Sequence, residues 1–220
     1  MFLIANWKLN KNLNESLEWF NDFSVKSSDV EVIVAPSYLY LPELHKNIQN
    51  LNLNIRLSAQ DVSKFEKGSY TGEISAYQLK DFCSYVIVGH SERKIFNETL
   101  SDIIDKIHFV LKNNLKPIVC FSKVDEFYII NNSLFNNEKN GEILYAYEPI
   151  AAIGTGKPAT SQDILQIKEA TKLQKFIYGG SVDENSINEF LNLDCISGFL
   201  VGSASLDSKK FSKIYTKLCE

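Results

Sequence analysis

A closed (β/α)8 barrel, an eight-stranded parallel sheet with outer helices, is the architecture this sequence predicts, and three observations predict it. Short apolar, β-branched runs recur down the whole chain. Each run is continuously apolar, not alternating, so both faces of each strand are covered. Between the runs lie stretches with apolar residues at three-to-four spacing, so strand and helix alternate. The runner-up is the doubly wound open sheet.

The candidate strands are Phe2 to Asn6, Glu31 to Pro36, Ile55 to Gln60, Tyr85 to His90, Pro117 to Phe121, Ile143 to Glu148, Lys175 to Gly180 and Gly198 to Ser203. Helical spacing is carried by Leu17, Phe20 and Phe23; by Ile103, Ile107, Val110 and Leu111; by Ile164, Ile167 and Lys168; and by Phe211, Ile214 and Leu218. The weakest unit is Ser122 to Gly141, polar and Asn-rich, with Phe127, Ile129, Ile130, Leu134 and Phe135 to anchor a helix. No linker or internal repeat interrupts the pattern, so residues 1–220 read as one domain.

With 220 residues, 45% of them hydrophobic, the chain can fill a substantial core and is neither disordered nor fibrous. A net charge of -4 with interspersed Lys and Glu leaves no basic stripe for nucleic acid or for a membrane surface. No apolar run approaches a membrane span of about 18 residues. Cys83, Cys120, Cys195 and Cys219 lack CxxC spacing and follow no secretory signal, so free thiols and a cytoplasmic location are expected.

In a barrel the chemistry gathers beyond the carboxyl ends of the strands, where the loops converge. Strand one ends in Asn6 and Lys8, strand four in His90, Ser91 and Glu92, and strand six in Glu148. Together they offer a cation, an imidazole and a carboxylate base. Strands seven and eight end in Gly179 to Val182 (GGSV) and Gly202 to Ser205 (GSAS). Small residues there let backbone N–H groups approach a ligand, and helix N-termini are expected to follow both, so a phosphate is the natural occupant.

Each residue alone has an ordinary explanation. A single Lys after a strand is usually a solvated charge, a single His is as often structural as catalytic, and glycines usually mark turns. A carboxylate ending an apolar strand is costly unless used or partnered. Their coincidence at the ends of different strands outweighs these explanations.

At these residues the chain resembles the triosephosphate isomerase family. The motifs are ANWK, TGEIS (Thr71 to Ser75), VIVGHSERK (Val86 to Lys94), YEPIAAIGTGK (Tyr147 to Lys157), YGGSV (Tyr178 to Val182) and GFLVGSASL (Gly198 to Leu206), in family order across nearly the whole chain. The resemblance implies interconversion of dihydroxyacetone phosphate and D-glyceraldehyde 3-phosphate through an enediolate, with no metal or organic cofactor. By the same resemblance Glu148 takes the carbon-bound proton, His90 acts as a neutral electrophile, Lys8 faces the developing oxyanion, and Asn6 is a neutral donor beside it. Glu92 would be a supporting partner. Pro149 to Lys157 would form a lid, with the Gly154 N–H on the phosphate alongside those of Ser181, Gly202 and Ser203. The loop Gln60 to Ser75, with Phe65 and Tyr70 expected to be exposed, would dock into a second copy, Thr71 bracing that copy's Asn6, Lys8 and His90.

The chain departs from the family pattern in four places. Ala151 stands where a Trp is usual at the lid's leading hinge, and Cys120, Phe121, Ser122 and Lys123 stand where Cys-Ile-Gly-Glu is usual. Losing that Trp and Glu removes one latch, so closure is expected to rely on the Tyr178 hydroxyl reaching the backbone near Ala159. Ser203 replaces a second glycine and would be strained if its φ were positive. The chain is also short between strands five and six. Two other readings are a Schiff-base aldolase, for which Lys8 is a poor lysine, and a barrel that only binds phosphate, for which Glu148, His90 and Lys8 would be superfluous.

Overall fold

The computed structural model describes residues 1–25, 29–134, 143–149 and 159–220. Eight parallel strands close into a barrel in chain order: β1 (Phe2–Asn6), β2 (Glu31–Ala35), β3 (Ile55–Ala59), β4 (Tyr85–Val88), β5 (Lys116–Phe121), β6 (Leu144–Tyr147), β7 (Phe176–Tyr178) and β8 (Ile196–Val201). Closure is made by β1 against β8, with Phe2 opposite Gly198 and Ala5 opposite Val201. A glycine is required at 198, because a Cβ there would run into the Phe2 carbonyl oxygen.

The continuous apolar runs resolve into two buried layers. Ile4, Ile33, Ala35, Tyr85, Ile87, Ile118, Cys120, Ala146, Ile177 and Leu200 form one connected set, the barrel interior. Their chain neighbours Leu3, Ala5, Val32, Val34, Val86, Val88, Val119, Phe121, Phe199 and Val201 belong to the second set, packed beneath the helices. Successive strand residues point to opposite faces, and here both faces are dry.

The helices are α1 (Leu13–Asp22), α2 (Leu41–Asn50), α3 (Ala76–Leu79), α4 (Ser91–Lys94), α5 (Leu100–Lys112), α6 (Val124–Ser133), α7 (Ser161–Thr171) and α8 (Ser208–Cys219). Four start with capping boxes, Asn12 with Glu15, Ser75 with Gln78, Thr99 with Asp102, and Thr160 with Asp163, which satisfy otherwise orphaned N–H groups. The unit predicted to be weakest does form a helix, α6, buried through Phe127 and Ile130, whereas Ile129 is exposed. Phe135 lies outside the described residues.

The helix expected directly after β7 is a 3-10 turn at Ser186–Glu189, and a second 3-10 turn at Ser203–Ser205 follows β8 before α8 begins. The Asp183 carboxylate accepts the N–H groups of Asn185 and Ser186, a local turn that competes with a regular helix start. On the β1 and β8 side, Trp7, Trp19, Phe20, Phe23, Phe211 and Tyr215 form one aromatic cluster. Trp19 also donates its Nε1–H to the Ser205 carbonyl at 3.0 Å, tying α1 to the turn after β8.

Candidate active site

Glu148 follows β6 and is 2% exposed, so its carboxylate needs partners. It has two: His90 Nε2 lies 3.0 Å from Oε1, and the Ser91 N–H donates to Oε2 at 2.9 Å. A third neighbour is the Cys120 thiol, pushed well above its ordinary pKa by burial and, second, by the Glu148 charge. Gly179 makes room for the base, since a Cβ there would sit 3.0 Å from Glu148 Cγ.

His90 follows β4 and caps α4. Its Nδ1 accepts the Glu92 N–H at 3.2 Å, which leaves the ring proton on Nε2, the atom that faces Glu148. The cap thereby selects the tautomer.

Lys8 lies just beyond β1 with φ 52°, a left-handed conformation that a non-glycine residue adopts at a cost of about 1–3 kcal/mol. Two bonds hold it there: its N–H donates to Asn6 Oδ1 at 3.1 Å, and its carbonyl accepts from Gln60 Nε2 at 2.9 Å. Its ammonium pairs with Glu92 Oε1 at 2.7 Å. It also lies against Gly202, where a Cβ would be 3.8 Å from Nζ. The lysine thus reaches the turn after β8 at ordinary contact distance.

The strand ends therefore bring Asn6, Lys8, His90, Glu92 and Glu148 into one chain of contacts, with Gly179 and Gly202 alongside. Ser203 has no positive φ; it opens a right-handed 3-10 turn, so the strain expected there is absent. Gly154 and, apart from Pro149, the segment Pro149 to Lys157 expected to form a lid lie outside the described residues. Next to them, Tyr178 accepts the Ala159 N–H at 2.7 Å, the contact expected of a lid anchor. Burial pushes its phenol up to about 12, keeping the hydroxyl protonated. Gly180 is obligatory beside it, since a Cβ would overlap the Tyr178 hydroxyl.

Sequence reasoning missed the clamp by Gln60 and the contact of Cys120 with Glu148. Gln60, a polar residue closing an apolar strand, carried a readable signal; Cys120 looked like any core thiol. In the loop Gln60 to Ser75, Tyr70 is exposed as expected but Phe65 is half-buried, stacked on Tyr70 with ring centroids 3.7 Å apart.

A closed parallel barrel whose strand ends gather a buried carboxylate, an imidazole and a lysine beside glycine turns defines a (β/α)8-barrel enzyme. Residues 1–218 match the family described as Triosephosphate isomerase. The chain is 37% identical to the triosephosphate isomerase of Mesomycoplasma hyorhinis, with 97% of each chain covered. It is also 37% identical to that of Alkaliphilus oremlandii, covering 95% of this chain and 96% of the relative. Identity to the Wolbachia pipientis wMel enzyme is 37%, over 96% and 91% of the two chains. This chain belongs to the triosephosphate isomerase family.

Proposed function

We propose that this chain interconverts dihydroxyacetone phosphate and D-glyceraldehyde 3-phosphate, a step of glycolysis and gluconeogenesis, by moving a proton through an enediolate. The observation that carries the reading is the buried Glu148 carboxylate 3.0 Å from His90 Nε2 at the carboxyl end of the barrel. Glu148 is the base. Its burial at the end of an apolar strand keeps water away from the oxygens that take the proton. His90 donates from Nε2 to the substrate carbonyl, so on binding it exchanges Glu148 for substrate. Lys8 and Asn6 stabilise the developing oxyanion. The N–H groups of Ser181, Gly202 and Ser203, with that of Gly154, hold the phosphate, the lid shielding the intermediate from water.

Replacing Glu148 by Asp tests this directly. The shorter side chain withdraws the base by about 1 Å, and misplacement of that order costs on the order of a hundredfold in rate. Wild-type conversion of D-glyceraldehyde 3-phosphate with a Glu148→Asp variant slowed to that extent is the expected result; equal rates would refute the assignment.

The same reading makes residues 1–220 one domain that works in the cytoplasm as a two-fold homodimer through Gln60 to Ser75. Among the described residues no helix is long and apolar enough to cross a membrane. Support for the dimer comes from Ile95 and Phe96, 77% and 71% exposed beside the site, and from a concave surface that Phe96 shares with Tyr38, Lys64 and Phe65. Thr71, exposed in that loop, would reach the neighbouring copy's Asn6, Lys8 and His90.

A further inference from the structure

We infer that Glu126 is a positioning residue for Glu148, joining through one carboxylate oxygen the two backbone supports of the base. The inference rests on the role proposed for Glu148. The first support is α4. A single helical turn has no stability of its own and stays in place only if both ends are pinned. Its start is fixed by His90 and by the Ser91 N–H on Glu148 Oε2. Its last residue, Lys94, donates to Glu126 Oε2 at 2.6 Å, the two side chains being 26% and 18% exposed.

The second support is the end of β5. Glu148 donates its own N–H to the Phe121 carbonyl at 2.9 Å, and the next residue, Ser122, donates its N–H to Glu126 Oε2 at 3.0 Å. One oxygen thus receives both the ammonium at the end of α4 and the amide beside the Phe121 peptide. Burial opposes ionisation of Glu126, yet the Lys94 bond and the Ser122 and Lys123 amides outweigh it and hold the carboxyl below its usual range. A displaced Lys94 would let α4 shift, and Ser91 with it.

Glu126 also stands in the first turn of α6, where it could serve merely as a cap. Glutamine separates the two roles, because a Gln side chain caps a helix start as Glu does but carries no charge for Lys94. Three measurements on Glu126→Gln and Lys94→Met, beside the wild type, test the inference: kcat and KM, Tm, and hydrogen exchange at the Ser91 amide. In both variants kcat is expected to fall about tenfold with KM within about twofold, since the phosphate turns are untouched and a small misplacement costs less than the roughly hundredfold of 1 Å. The double variant should lose no more than either single one. The Ser91 amide should exchange faster while β-strand amides keep their protection.

Unchanged kcat, or a loss that only follows the fraction unfolded, would overturn the inference. An inactive wild type would instead remove the reading of the function; Ser91 exchange would then decide, unchanged protection in Glu126→Gln overturning the link.

Discussion

Tyr178 shows how much one side chain settles near this site. Its ring fills the space that a side chain at 180 would need, and its hydroxyl accepts the Ala159 N–H just beyond the segment proposed as a lid. Phe at 178 keeps the ring and loses the acceptor, leaving a half-buried N–H unpaired at a cost of about 1–3 kcal/mol. Turnover in Tyr178→Phe is expected to drop on the order of tenfold or more, measured as kcat in the isomerase assay, with the fold intact by circular dichroism; an unchanged kcat would end the anchoring role. At this scale the sequence was most informative where a residue violated its surroundings. Glu148 ends an apolar strand and Lys8 follows one, so both stood out. Gln60 and Cys120 act through partners 52 and 28 residues away, Lys8 and Glu148, and no local pattern announces such a meeting.

Elements divide between those that local chemistry specifies and those that tertiary contacts impose. The α5 helix is of the first kind: Thr99 and Asp102 cap it, and Ile103, Ile107, Val110 and Leu111 form its buried stripe. The turn after β7 is of the second kind, being too short and too occupied by Asp183 to become the α-helix that alternation suggests. Asp102 also pairs with Lys64 at 2.6 Å, and that bond first, then the Thr99 amide, brings its pKa from 3.8 to about 2. A depressed carboxylate stabilises the fold above its unfolded pKa and ceases to do so as pH falls through the folded one. The Tm difference between wild type and Asp102→Asn should therefore be full above about pH 4 and shrink as pH falls toward about 2. A difference independent of pH over that window would show that the charge contributes nothing.

For the whole molecule, the barrel was legible because eight dry strands cannot be buried on both faces in a half-solvated sheet. Closure itself was not encoded in any single run; it depends on β1 meeting β8, with Gly198 allowing the approach. Dimerisation is argued from exposed side chains, and its test belongs to the assembled protein. Sedimentation should give twice the mass of the 25.0 kDa chain, and charge placed at Phe96 by Phe96→Glu should shift the protein toward monomer and lower kcat. A wild type that sediments as a monomer at micromolar concentration would refute the dimer.

The two-layer construction of the walls has a consequence for how such a chain can change length. Along β5, Ile118 and Cys120 face the barrel interior while Val119 and Phe121 face the helices. Deleting one residue within that strand would flip every residue on one side of the gap, either driving the Phe121 ring into a space now filled by a cysteine or stranding Ile118 under the helices. Every strand is subject to the same parity rule, so insertions and deletions can accumulate only in the connections. A lineage can trim its loops one residue at a time, but its strands can lose residues only two at a time or not at all.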